Sequence, residues 1–136
     1  MTDYDYDPGE PADRRKHVPL ENGVSYRCEA GKVVSHCPRG ITNPRALLND
    51  PNRFECHTPR SRSEDPDAIY LFHQGVLYRA EPTRAQHSYH AFPEFHEHFE
   101  KKMRGTARRQ FMKWAEKTNS TGIDRWLRST EEWSCK

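Results

Sequence analysis

The 136-residue chain has no run of about 18 apolar residues, the length that a membrane-spanning helix needs. It also lacks a dominant charge. Its 22 Lys plus Arg stand against 20 Asp plus Glu, a formal net charge of +2, short of the basic excess by which a nucleic-acid protein works through bulk charge. No Gly-x-Ser-x-Gly elbow, phosphate-binding loop or dinucleotide fingerprint occurs, so neither a nucleophilic triad nor a nucleotide fold is indicated. No Cys-x-x-Cys pair occurs either, which speaks against zinc ribbons and thiol redox motifs, since both hold two sulfurs on one tight turn. The opening, Met1-Thr2-Asp3-Tyr4-Asp5-Tyr6-Asp7, is acidic and polar, unlike a signal peptide. It suits either a cytosolic protein or a mature secreted chain given a start Met, and the cysteines weigh between the two.

Apolar residues make up only 33% of the chain, but six Phe, six Tyr and three Trp supply a small core. That aromatic content, with both signs of charge present, excludes the disordered class. The length fits one domain. Residues 1–22 read as a flexible arm: acidic at first, basic at Arg14-Arg15-Lys16, and broken by Pro8, Pro11 and Pro19. A pro-segment ending in a dibasic site is the functional reading of that arm. Residues 23–136 form the domain.

The four cysteines, Cys28, Cys37, Cys56 and Cys135, permit three pairings that sequence alone does not separate. Their wide spacing suits loop-closing disulfides. Asn119-Ser120-Thr121 is an N-glycosylation acceptor. Together these features favour a secreted, disulfide-bonded chain. The intracellular alternative is a zinc-stabilised module built on Cys28, Cys37, Cys56 and His57.

The densest β-prone stretch is Ile69-Tyr70-Leu71-Phe72, apolar on both faces. Gln74-Gly75 supplies a turn, and Val76, Leu77, Tyr78 and Ala80 return as a second strand. A similar hairpin spans 23–36, turning at Glu29-Ala30-Gly31-Lys32, with Val24, Tyr26 and Cys28 expected to point inward. Asn43 followed by Pro44 has the form of a helix start, and Asn49-Asp50-Pro51 ends that helix. Arg53–Thr58 reads as a short strand. From Phe92 onward, Phe92, Phe95, Phe99, Met103, Ala107, Phe111 and Trp114 recur every three or four positions as one helical stripe. Pro93 is expected in its first turn, Gly105 as a break within it, and Thr106 as the cap of the second part. Asn119–Gly122 is expected as a loop, with Thr121 and Asp124 at capping-box spacing. Ile123, Trp126 and Leu127 line a last helix. The expected fold is therefore α+β: a small, mostly antiparallel sheet, a short early helix and a helical C-terminal segment, stabilised by disulfides.

Three constellations bear on function. His87, His90, His96 and His98 crowd into twelve residues. However, His96 and His98 lie two apart on a helix and diverge, whereas metal-binding helix pairs lie four apart. They read as solvated, and no metal or cofactor is assigned. Metal-independent RNA cleavage needs a base, an acid and a cation. His73, Arg79 and Glu81 on or beside the central hairpin, with His57 and Arg60 on a neighbouring strand, supply the residue types. Last, the basic helix face carrying Lys101, Arg104, Arg108 and Arg109 offers a contact surface for a partner protein or RNA. Glu94, Glu97, Glu100 and Glu116 dilute it.

Tyr26-Arg27-Cys28, followed by a hairpin, a short helix and a terminal cysteine, resembles the Tyr-x-Cys pattern of the ribonuclease-like effectors of powdery mildews and related plant-pathogenic fungi. The resemblance implies that Cys28 pairs with Cys135, which leaves Cys37 with Cys56. It also implies secretion, action inside host cells and a host protein partner such as an immune receptor or its target. Related fungal ribonucleases carry a Tyr-x-His element after the helix. Phe54-Glu55-Cys56-His57 does not reproduce it, so no catalytic residue is carried over. The expectation is a monomeric, secreted, non-enzymatic effector that binds a host macromolecule without a membrane. A secreted endoribonuclease is the alternative.

Overall fold

The computed structural model describes residues 3–7, 25–36, 43–57, 64–85, 87–118 and 120–135. Among them, seven strands and four helices follow one another in an α+β arrangement. The central hairpin pairs β5 (Ala68–His73) with β6 (Val76–Pro82) across Gln74 and Gly75, whose φ values of 50° and 81° suit a two-residue turn of positive φ. A second hairpin, β2 (Ser25–Glu29) and β3 (Lys32–His36), turns at Ala30 and Gly31 with φ of 51° and 79°. It stands apart as a two-stranded sheet.

The main sheet has five strands in the order β1-β7-β6-β5-β4, with β4 at Phe54–Cys56 and β7 at Ser88–Pro93. Among the described residues, only the pairing of β1 (Asp5–Tyr6) with β7 is parallel. The short helix α1 (Pro44–Leu48) starts as expected, with Asn43 Oδ1 accepting from the Ala46 N–H at 3.0 Å and Pro44 leading the helix. Among the described residues no helix is long and apolar enough to cross a membrane.

Strand alternation gives the sheet two covered faces. On one, Cys56, Ala68, Tyr70 and Leu77 meet Phe99, Met103, Phe111, Ala115, Ile123 and Leu127. These residues come from α2 (His96–Lys102), its C-cap Met103, α3 (Gly105–Thr118) and α4 (Ser120–Ser129). Phe111 is fully buried at the centre, with its ring 5.1 Å from Tyr70 and 5.0 Å from Phe99. On the other face, Ile69, Ala80 and Tyr89 pack against Tyr4 and Leu48.

Several expectations are corrected here. The N-terminal arm is in part structural. Tyr4 is buried and exchanges hydrogen bonds with the Asn49 side chain at 2.8 and 2.9 Å, and β1 follows it; residues 8–24 lie outside the described residues. Phe92 and Pro93 belong to β7, not to the helical stripe. α2 begins only at His96, after an extended Phe95. The strand wins because Ser88–Pro93 pairs along its length with β6, and Phe92 falls three before Phe95 by coincidence of spacing. Gly105, at φ 62°, does divide the helices, but α3 begins at Gly105, so Thr106 lies inside it, where its Oγ1 accepts from Arg109 Nη2. The expected loop at 119–122 is mostly helix, since α4 starts at Ser120 and carries the Ile123 stripe back by one turn. Cys28 is exposed, and Tyr26 is half-buried against Trp133 rather than in the main core.

Cys28 and Cys135 form a disulfide across 107 residues, tying β2 to the C-terminus. Cys56 is a buried free thiol, so the expected second bridge to Cys37 is not made; Cys37 itself lies outside the described residues. The Cys56 side chain falls on the helix-covered face and is used in packing. Burial pushes its thiol above the ordinary range. Replacing Cys28 and Cys135 together by Ser is expected to lower the urea unfolding free energy by about 2–5 kcal/mol, as removing a bridge over a long loop does. Peptide mapping after alkylation of the native protein is expected to leave Cys56 unmodified until denaturant is added.

Candidate functional site

The site grows from the junction between β7 and α2. Glu94 lies there with no exposed surface. A buried carboxylate is tolerated only when its oxygens are bonded, and Glu94 meets that demand. Oε2 accepts from the Tyr70 hydroxyl at 2.7 Å, and Oε1 from the Phe95 N–H at 3.0 Å and from His98 Nδ1 at 2.8 Å. Its backbone oxygen accepts from Trp126 Nε1 at 2.8 Å. The α2 start is held by Thr130, whose Oγ1 accepts from the His96 N–H at 2.7 Å.

Behind Glu94 the network continues into the sheet. Tyr70 and Arg79 are register partners on β5 and β6, so their side chains share a face, and Arg79 Nη1 donates to the Tyr70 hydroxyl at 2.6 Å. Arg79 Nε donates to Glu81 Oε2 at 2.9 Å. Burial alone would lower the affinity of Arg79 for its proton. The neighbouring Tyr70, Glu81 and Glu94 outweigh that and hold the guanidinium charged. Burial, reinforced by Glu94, raises the Tyr70 phenol far above its usual range, so it stays neutral.

Both ends of this chain, Glu81 and His98, reach one cleft of about 260 Å³. Val33, Val34 and Ser35 on β3 form one wall. His90 and Phe92 on β7, with Phe95, form the other. The hairpin is seated by Ser35, whose hydroxyl donates to the Pro93 carbonyl at 2.6 Å. Trp133 stacks on Tyr26 at 5.2 Å and approaches Phe95 at 5.9 Å, carrying the C-terminus to the disulfide. The His98 ring stands edge-on to Phe92 at 5.4 Å and tilted against Phe95 at 5.5 Å. A carboxylate donates no proton, so His98 Nδ1–H points at Glu94, and in the neutral ring Nε2 carries the lone pair.

The residues singled out in the sequence meet different fates. Arg79 and Glu81 do come together. His73 pairs with Val76 and so falls on the opposite face of the sheet from Arg79. His57 also falls on that opposite face, since it alternates with Cys56. Arg60 lies outside the described residues, and the described members of the combination suggested for RNA cleavage do not converge. His87 is bonded through Nδ1 to Asp65 at 2.8 Å, and His90 Nδ1 to the Asp7 carbonyl at 3.1 Å.

The basic helix face is largely satisfied from within. Lys101 pairs with Glu97 at 3.1 Å, and Arg108 grips Glu100 at 2.8 and 3.1 Å while lying 5.3 Å over the Phe99 ring. The Arg108 hydrogen bond holds the Glu100 carboxyl below its ordinary range. Arg104 Nε reaches the Glu100 carbonyl at 3.4 Å. Asn119 lies outside the described residues. Among the described residues no cluster of three His, Cys, Asp or Glu could hold a metal ion. Sequence reading missed Glu94 and His98 as site residues. The available signal was the i, i+4 spacing of Glu94 and His98. No protein-family model, curated protein or solved structure matches the chain.

The buried phenols make stability depend on alkaline pH. Tyr70 and Tyr89 are both raised above the ordinary value near 10, chiefly by burial. Above that pH the unfolded chain releases tyrosyl protons that the folded chain keeps. The unfolded state then binds fewer protons, so stability falls as pH rises, by up to about 1.4 kcal/mol per pH unit for each such tyrosine. Urea titrations between neutral and alkaline pH are expected to show this limb. In Tyr70→Phe, which has no phenol to titrate there, the limb is expected to be shallower.

Proposed function

We propose that the protein is a secreted, non-enzymatic effector-type protein that acts by binding a host protein, and that the cleft between β3 and β7 is where the partner docks. One observation carries the reading: an apolar-walled cleft with a few convergent polar groups, roofed by a hairpin that a disulfide holds in place. Recognition sites commonly have this composition, and disulfides persist in oxidising compartments and secreted chains. The described residues suggested for RNA cleavage lie on two faces of the sheet, and Lys101 and Arg108 of the basic helix face are occupied by its own carboxylates. Both observations favour a protein partner over RNA.

A photo-crosslinking side chain at Val34, in the cleft wall, tests this in plant leaf extract. The expected outcome is a discrete crosslinked protein that excess unlabelled protein suppresses, and that a probe at exposed Lys117 on α3 does not capture. The Phe92→Ala variant is expected to lose at least tenfold of that product. Cleavage of structured RNA in the presence of chelator, abolished in His98→Ala, would overturn the non-enzymatic reading.

A further inference from the structure

We propose that the cleft is a recess for an arginine side chain presented by the partner. This assignment rests on the reading of the cleft as a docking site, and it is argued from the hydrogen-bonding character of the walls. The Ser35 hydroxyl hydrogen is spent on the Pro93 carbonyl. His98 Nδ1 is spent on Glu94 at 2.8 Å. Glu81 is acceptor-only, and Arg79 Nε occupies one of its two oxygens. The side-chain donors of Ser35 and His98 are thus engaged by the protein itself, as His90 Nδ1 is by the Asp7 carbonyl, and Glu81 presents carboxylate oxygen to the cleft. An occupant must bring N–H donors, whereas a carboxylate or phosphate would meet lone pairs.

Charge points the same way. Counted formally, the buried network holds one guanidinium, Arg79, against two carboxylates, Glu81 and Glu94, while Tyr70 stays neutral. With the histidines counted as neutral, one negative charge is left over. Its accessible end is Glu81, whose side chain is 39% exposed, against none for Glu94. A cationic occupant balances the count at that end.

Shape selects among cations. The cleft, at about 260 Å³, falls below the roughly 300–1,000 Å³ of small-molecule pockets, which suits one side chain. Phe92 and Phe95 supply aromatic surface on either side of His98. A planar guanidinium stacks on aromatic rings and forks onto a carboxylate, and its several fixed donors match separate acceptors. A lysine ammonium is a compact point charge without that fork.

The test uses the full, disulfide-intact chain and nitrogen-15 NMR titration with capped Gly-Arg-Gly peptide. Matched peptides carry citrulline, lysine or glutamate in place of arginine. The arginine peptide is expected to give saturable shifts at Phe92, Phe95 and His98, with the citrulline and lysine peptides at least tenfold weaker. Glu81→Gln is expected to weaken arginine binding at least tenfold. Phe92→Leu, which keeps the apolar bulk but removes the ring, is expected to weaken it severalfold with a native-like spectrum. Absence of shifts at the cleft, an equal response to citrulline or lysine, or a stronger response to glutamate would overturn the assignment. If Glu81→Gln still captures the crosslinked host protein at wild-type yield, docking at the cleft stands and the arginine assignment fails. If arginine peptide binds as expected and no host protein is captured, the recess chemistry stands and the host-partner reading fails.

Discussion

The buried carboxylate of Glu94 is the constraint on which the helical layer depends. An unpaired carboxylate in that position would cost several kcal/mol, so the structure around it is shaped to supply donors. Tyr70 comes from the sheet, the Phe95 amide from the strand–helix junction, and His98 from the first turn of α2. Trp126 reaches the same residue from α4 through the backbone oxygen. These bonds fix where α2 starts relative to β7. Once that is fixed, Phe99 and Met103 fall onto Tyr70 and Leu77, and Phe111 closes the core from α3. The apolar contacts supply most of the burial, which is non-directional. The polar network supplies the register.

Local chemistry made much of the fold legible in the sequence. Gln74-Gly75 and Ala30-Gly31 both announced two-residue turns, and Asn43-Pro44 announced a helix start, because each places a special residue where the backbone needs it. What local chemistry could not show was pairing between distant segments. β1 looks like an acidic arm until Tyr4 meets Tyr89 and Asn49. β7 looks like a loop and a helix start because His90 and Phe92 are seen without β6 beside them. The start of α4 was misplaced for a related reason, since a polar, glycine-containing stretch reads as a loop until the Ile123 stripe is packed on the sheet.

The site was legible in part. The central hairpin brought Arg79 and Glu81 to notice, and they are neighbours. The same hairpin held the information that His73 lies apart, because a turn at Gln74-Gly75 pairs His73 with Val76 and so sets it opposite in parity to Arg79. Glu94 was grouped with Glu97, Glu100 and Glu116 as surface charge. Composition treats the four alike, but Glu94 precedes α2 at the point where strand, sheet and helices meet, and the other three are exposed on the helices.

The β2–β3 hairpin shows how the stability of the hairpin and the form of the cleft share one origin. A lone two-stranded hairpin is marginal in water. This one is held by Ser35 on Pro93, Tyr26 on Trp133 and Cys28 on Cys135. The Ser35–Pro93 bond joins β3 to the end of β7, and beside it the hairpin stands over the sheet as one wall of the cleft. The donors at the rear of that space are already engaged, because burying Glu94 required them. The groups lining the cleft are therefore the Glu81 carboxylate, the imidazoles of His90 and His98, two phenyl rings and the side chains of β3. The requirement that let a carboxylate be buried at the β7–α2 junction also sets the polarity of the surface in front of it.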